Sequence, residues 1–378
     1  MKRNIIFFLA FILAGGIQQT ILKGAEDHKT LDIGASAPAF SLPGVDGKTY
    51  TLDSFKSAKI LVIIFTADHC PTAQAYEDRI IQLYREFHPK GVDFVLISPN
   101  NPKAVCLEEI GYSDLGDSFE EMKIRAKDKN FPMPYLYDGE TQEITEAYGP
   151  QTTPHVFIFD SNRKLRYCGR IDDTENPYIK PKELDTRNAI VALLDGKPVP
   201  VEKTKTFGCS IKWASKIEWR NKLDKDWKEK PVEVTDADIN TIKQILANKS
   251  DKYRLINIWA TWCGPCVIEF PEFVNMQRMY GARDFEFVSI STDGLKKKDK
   301  VLAFLKDKNA ATKNYLYTSD DKYQLIEAVD KNWQGALPYT LLVAPGGKIV
   351  YSHQGVMDVL EVRKEIMKQI GRFYADDK

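Results

Sequence analysis

An apolar run that ends at a cysteine-bearing turn and continues into a helical pattern occurs twice in this chain, and that repetition limits its fold more than any other feature. The first copy is Ile60 to Phe65 (ILVIIF), then Ala67-Asp68-His69-Cys70-Pro71, then a helical pattern from Tyr76 to Phe87. The second is Leu255 to Trp259 (LINIW), then Thr261-Trp262-Cys263-Gly264-Pro265-Cys266, then a helical stretch through Phe270, Phe273, Met276 and Met279. Nearly unbroken apolar runs are what strands covered on both faces require. The next strands correspond as well, VDFVLIS from Val92 and FEFVSIS from Phe285. Later, Thr153-Pro154 followed by HVFIFDSNRKLRY aligns without gaps with Leu337-Pro338 followed by YTLLVAPGGKIVY. Each is a proline, a strand, a tight turn and a second strand, the pattern of a β-hairpin. Both halves therefore read β, α, β, α, β, β, α. The expected class is α/β, with two tandem domains that each hold a mixed sheet flanked by helices.

A length of 378 residues suits two domains. Lys plus Arg and Asp plus Glu are balanced at 53 each, so no net positive field exists to hold nucleic acid. The expected boundaries are 28–196 for the first domain, 197–230 for a lysine- and tryptophan-rich connection, and 231–378 for the second. The connection carries Trp213, Trp219, Trp227 and Cys209. Two readings are open: its tryptophans pack on one domain, or it delivers Cys209 to a particular place. At the N-terminus, Lys2 and Arg3 precede an apolar run from Ile5 to Ala14 and then Gly15 and Gly16. Residues 1–24 read as a cleaved signal peptide, because the run is shorter than the roughly 20 residues of a membrane-spanning helix. The protein is expected in the periplasm or another exported compartment, with an uncleaved N-terminal anchor as the alternative.

Cys263-Gly264-Pro265-Cys266 carries the strongest chemical signal. Two cysteines separated by two residues at a helix start form and break a disulfide with little backbone movement, and the unpaired N–H groups of the helix start stabilise a thiolate. Cys263 is then the exposed attacking sulfur and Cys266 the resolving one. Gly264 and Pro265 fix the turn between them, and Trp262 offers a partner an apolar surface. Pro338 fits as a cis-proline facing the pair, where Leu337 presents its backbone to a substrate strand. Half of a zinc site is disfavoured because no second Cys/His pair lies at finger spacing, and haem attachment because Val267 follows the motif. No metal or cofactor is expected beyond the redox-active disulfide Cys263–Cys266.

On WATWCGPC (Trp259 to Cys266), Glu269-Phe270-Pro271 and Leu337-Pro338, residues 231–378 resemble the exported TlpA-like thioredoxin-fold thiol-disulfide oxidoreductases. The resemblance implies protein thiols and disulfides as partners, and the exported setting a membrane electron donor for the dithiol. Where cytosolic thioredoxins hold a buried carboxylate, this chain has Asn257, so Cys266 loses its proton to water or to another group such as Glu269.

The first half resembles the peroxiredoxin-like branch of the AhpC/TSA redoxins on Ala37 to Leu42 (APAFSL), FTADHCPTAQAYEDR from Phe65, YLYDGETQEITEAYG from Tyr135, TTPHVFIFD from Thr152 and GRIDD from Gly169. Peroxiredoxins proper place a threonine and a proline three and seven residues before the reactive cysteine; here these are Ala67 and Ile63, with Thr66 one residue away. Cys70 has no second sulfur at the Cys-x-x-Cys spacing, so its open chemistry is a sulfenic acid resolved by a distant thiol, or a mixed disulfide. His69 is placed to stabilise the thiolate, Thr153 and Pro154 to line the site, and peroxide is the expected small substrate. Cys209 is the candidate resolving thiol, Cys168 a packed or outward residue, Cys106 incidental. Three alternatives stand beside this: an inert Cys70, a non-catalytic module that recognises client proteins, and copper held by Cys70, His69 and His155. A further expectation is that the tethered Cys263/Cys266 dithiol regenerates Cys70 within its own chain.

Overall fold

The computed structural model describes residues 28–374, so the predicted leader lies outside the described residues. A short hairpin of β1 (Ser41–Pro43) and β2 (Thr49–Thr51) leads into β3 (Ile60–Phe65), which is buried at every position. There follow α1 (Pro71–Phe87), β4 (Val92–Ser98), α2 (Phe119–Lys129), β5 (Tyr135–Tyr137), α3 (Glu143–Tyr148), β6 (Thr152–Thr153), β7 (His155–Phe159), β8 (Leu165–Gly169) and α4 (Asp185–Leu194). The sheet runs β5-β4-β3-β7-β8, with β3, β4 and β5 parallel and β7 and β8 antiparallel to their neighbours. Central β3 must be apolar on both faces, because one core cluster takes Val62 and Ile64 and another takes Leu61 and Ile63.

The connecting segment forms β9 (Cys209–Ser210), which pairs antiparallel with β6, and α5 (Ile217–Lys228). The second half continues as β10 (Thr235–Ala237), α6 (Ile239–Ala247), β11 (Tyr253–Trp259), α7 (Gly264–Tyr280), β12 (Phe285–Ser291), α8 (Lys298–Asp307), β13 (Lys313–Tyr317), α9 (Lys322–Val329), β14 (Tyr339–Val343), β15 (Ile349–Gln354) and α10 (Val359–Ile370). Its sheet order is β10-β13-β12-β11-β14-β15.

Each half holds more elements than its sequence pattern predicts: β5 with α3, besides β1, β2 and β6, in the first, and β13 with α9, besides β10 and α6, in the second. Three-residue β5 is too short to read as a strand, and β13 lies near the sheet edge with Lys313 exposed and Tyr315 half-buried. Helix α5 also escapes a periodicity reading, since none of its residues is fully buried and its sequence alternates charges that pair along the surface, such as Lys222 with Asp226 at 2.6 Å.

The halves share a core. Val105 and Ile110, from the crossover between β4 and α2, pack in the same apolar cluster as Phe273, Met276 and Met279 of α7. The Tyr280 hydroxyl donates to Ser113 O at 2.9 Å, and the Arg283 guanidinium to Gly111 O at 2.7 Å. Gly111 is required there: a Cβ at that position would come 2.8 Å from Met279 O. Beyond α10, Arg372 binds Gln74 Oε1 at 2.6 Å and Asp114 Oδ1 at 2.5 Å. The tryptophans of the connection divide: Trp227 packs on the shared core and donates to Asn309 O, Trp213 stacks on His28, and Trp219 is exposed.

Candidate active sites

The second site is built on the start of α7. Thr261 fixes the loop before it, its N–H and hydroxyl donating to the Asp293 carboxylate at 2.6 and 2.7 Å. Cys263 is the N-cap, with its sulfur accepting the Cys266 N–H at 3.3 Å, and the two sulfurs form a disulfide of 2.04 Å. Pro265 suits the first turn, where no intrahelical N–H is needed. The Leu337–Pro338 peptide is cis, and Pro338 O accepts from Gly355 N–H. One expectation needs correction: Cys263 is only 6% exposed, because an N-cap side chain folds back over the first turn and this one is bonded to fully buried Cys266. The exposed groups are its neighbours, Trp262 at 56%, Ile268 and Val356, and the space beside Gly264 is open.

Glu269, one turn beyond Cys266, is buried. Its Oε2 accepts the Met357 N–H at 3.1 Å, while its Oε1 and the Asn257 Oδ1 are both buried without partners. Burial raises the Glu269 carboxyl, against the opposing pull of the Met357 N–H.

The first site is built on the start of α1 in the same way. Cys70 is the N-cap, accepts from Ala73 N–H at 3.4 Å, lies 3.2 Å from Thr153 O and has no exposed surface. Its second sulfur comes from elsewhere. Pairing of β6 with β9 sets Cys209 opposite Thr153, and Cys209 packs directly against Cys70. Residues directly opposed in an antiparallel pair project to the same face, so the Thr153 hydroxyl, buried and without another partner, shares that face. The Thr153–Pro154 peptide is also cis.

His69 turns its ring to Asp117, Nδ1 to Oδ2 at 2.5 Å, and both side chains are buried. Asp117 also accepts from the backbone N–H of Asp68 and His69 and from Asn100 Nδ2 at 2.7 Å. Burial alone would strip His69 of its proton, but the Asp117 carboxylate outweighs it and raises the imidazole. Burial would likewise raise the Cys70 thiol. The hydrogen bond from Cys209, the His69 charge and the Ala73 N–H reverse that and bring it down to about 6. The hydrogen bond to Cys70, followed by burial, holds Cys209 protonated. The site is thus a buried sulfur whose thiolate form is favoured by the His69–Asp117 pair on one side and a thiol donor on the other.

The remaining predicted residues are placed apart from this chemistry. His155 Nδ1 accepts the Gln151 N–H and its Nε2 lies 3.1 Å from Cys168 Sγ, so it does not join His69 and Cys70 as the copper reading requires. Burial pushes His155 down to about 3 and Cys168 up to about 12, and burial with Glu109 pushes Cys106 up to about 11. Among the described residues, no group of three or more His, Cys, Asp or Glu is arranged to hold a metal ion, and no helix is long and apolar enough to cross a membrane. The sequence reading missed Asp117 and Asn100. The available signal was Ser118 with Glu121, a capping box that marks the start of α2 and so places Asp117 at the top of the domain.

The Cys70 and Cys263 sites do not meet. Cys263 caps one end of α7, and the other end is joined to the Cys70 shell through Tyr280 and Ser113, whose hydroxyl donates to Asp68 O. A helix of 17 residues is about 25 Å long. The same polarity holds in α10, whose start follows Met357 at Glu269 and whose end leads to Arg372 at Gln74.

Residues 33–168 match the model of the AhpC/TSA family and residues 228–367 that of the Redoxin family. The thiol-disulfide oxidoreductase ResA of Bacillus subtilis is 30% identical over 120 residues, 32% of this chain and 63% of that protein. The ResA of Oceanobacillus iheyensis is 27% identical over 130 residues, 32% of this chain and 58% of that protein. The chain thus spans less than two thirds of the length of these relatives. An uncharacterized conserved protein from Geobacillus kaustophilus, known from its crystal structure, is 39% identical, with 48% of this chain and 92% of that one covered at a TM-score of 0.43.

Proposed function

We propose that this chain, which belongs to the AhpC/TSA family in residues 33–168 and to the Redoxin family in residues 228–367, is a thiol-disulfide oxidoreductase with two separate redox couples. The Cys263/Cys266 couple reduces disulfides of other proteins and is itself kept reduced by a membrane electron donor. The Cys70/Cys209 couple reduces hydroperoxides. The basic and apolar N-terminal sequence supports an exported location.

The observation that carries the second couple is the packing of Cys209 against a Cys70 with no exposed surface and a thiol brought down to about 6. A buried thiolate is reached by a small oxidant and not by a folded protein. The Cys70 thiolate attacks the outer oxygen of the hydroperoxide; the O–O bond breaks, an alcohol or water leaves and a sulfenic acid forms. The Cys209 thiol then attacks that sulfur, water leaves, and a Cys70–Cys209 disulfide results. The Thr153 hydroxyl takes the place of the threonine that peroxiredoxins hold three residues before the cysteine. At the other site, Cys263 attacks the client disulfide and Cys266, with its proton passed to Glu269 or water, releases the client.

The test is stoichiometric hydrogen peroxide added to fully reduced protein, with Cys70→Ser alongside. Rapid thiol loss that requires Cys70 and ends in a Cys70–Cys209 disulfide by peptide mapping is expected. Slow loss, equal in both proteins, overturns the peroxide reading.

A further inference from the structure

We infer that the Cys70–Cys209 disulfide is reduced by the Cys263/Cys266 dithiol of a second copy of this chain, which attacks at Cys209 and never at Cys70. This rests on the reading of Cys70 and Cys209 as a redox couple. The tether between the halves suggests the opposite, a dithiol that serves the neighbouring cysteine of its own chain. The geometry argues against that. The two sulfur centres sit at opposite ends of α7 and of α10, and contacts at Val105, Ile110, Tyr280, Arg283 and Arg372 hold the halves in this arrangement. Bringing Cys263 to Cys70 would require breaking all of them.

The direction of attack follows from exposure. Cys70 has no accessible surface, whereas Cys209 is half-buried between exposed Gly208 and Ser210. An incoming thiolate therefore meets the Cys209 sulfur first. The Cys263 thiolate of the second copy attacks it, the Cys70–Cys209 bond breaks, and Cys70 departs with the electron pair as the thiolate its His69–Asp117 surroundings stabilise. Cys266 of the second copy then attacks Cys263, a Cys263–Cys266 disulfide forms, and Cys209 leaves and takes up a proton. Two electrons and one proton, the one from Cys266, have moved from one molecule to the other. The partner surface on the donor centres on exposed Trp262, next to Cys263.

The experiment uses two full-length proteins of different mass. One carries Cys266→Ser, Cys70→Ser and Cys209→Ser and is reduced, so that Cys263 is the attacker. The other carries Cys263→Ser and Cys266→Ser and has been oxidised with peroxide; mapping first establishes its Cys70–Cys209 disulfide. If that disulfide does not form, the couple itself is refuted, before the partner question arises. If it does, the expected product is a covalent heterodimer linked Cys263–Cys209, with one free thiol released at Cys70. A Cys263–Cys70 link, or no link, overturns the inference. The single variant Cys266→Ser, oxidised alone over a hundredfold range of concentration, supplies the second arm. An internal Cys263–Cys209 or Cys263–Cys70 bond formed at a rate independent of concentration overturns it, whereas a bimolecular rate supports it.

Discussion

Helices α1 and α7 begin with the same device, a cysteine N-cap whose sulfur accepts the N–H three residues on, at 3.4 Å from Ala73 and 3.3 Å from Cys266. They differ in where the second sulfur comes from. In α7 it sits one turn away, so the couple is complete within a single helix, with the buried Glu269 carboxyl one turn beyond. In α1 that place is taken by Ala73, and the second sulfur arrives on β9, from a segment between the domains. A sulfur brought from afar covers what it meets. The same pairing that supplies Cys209 closes the site, so Cys70 must be activated from inside, by His69 and Asp117. On the proposed function, the local couple serves large partners and the assembled one small oxidants.

The sharpest way to break this comparison is to remove one nucleophile at a time. Cys263→Ser is expected to lower reduction of insulin disulfides by at least about a thousandfold while leaving the Cys70 reaction with peroxide within about twofold, since the sites are distant. Cys70→Ser should do the reverse, measured by insulin precipitation and by rapid-mixing fluorescence. Loss of both activities in either variant would mean that the sites are not independent.

Asp117→Asn tests the inner activation. Without the carboxylate that raises His69, the Cys70 thiol rises above about 6, so the peroxide rate at pH 6 falls roughly fivefold or more. The decisive readout is the pH profile, which should move to higher pH and recover at pH 9. An unmoved profile would show that His69 carries no charge in the reduced protein. Glu269→Gln should leave that profile alone and instead slow oxidation of the Cys263/Cys266 dithiol by up to about tenfold, with loss of one ionisation from its pH dependence.

A further effect is expected on stability. A Cys70 thiol at about 6 in the fold, against 9.0 for an ordinary thiol, means the unfolded chain binds more protons between those values. Its contribution is fully present above pH 9, falls as the pH is lowered through about 6, and is absent from Cys70→Ser. Denaturant midpoints of the two reduced proteins, compared from pH 5 to 9, should diverge as the pH rises.

Local order is what made parts of this molecule legible from sequence. Both strand–cysteine–helix units, both proline-led hairpins and the Cys263/Cys266 pair depend on residues close together in the chain, and all appear where their patterns place them. The juxtaposition of Cys209 with Cys70 was a guess from the reach of a long segment, and what realises it is a two-residue strand pairing that has no pattern to read. Asp117 was invisible for a related reason: a carboxylate in a crossover loop gains its meaning only when the loop folds back over the start of α1. Strands β5 and β13 do not stand out because one has only three residues and the other, next to the edge strand β10, carries polar Lys313 and Asn314.

Val105 and Ile110 have a thermodynamic consequence of their own. Each is a side chain of the first half whose burial, worth roughly 1.5–3 kcal/mol, is supplied by the second. With Tyr280, Arg283 and Arg372 anchored across the same seam, neither half can lose its structure without exposing part of the other's interior. In a calorimeter the protein should therefore melt as one cooperative unit instead of two, and polar replacement of Val105 and Ile110 should split that single peak.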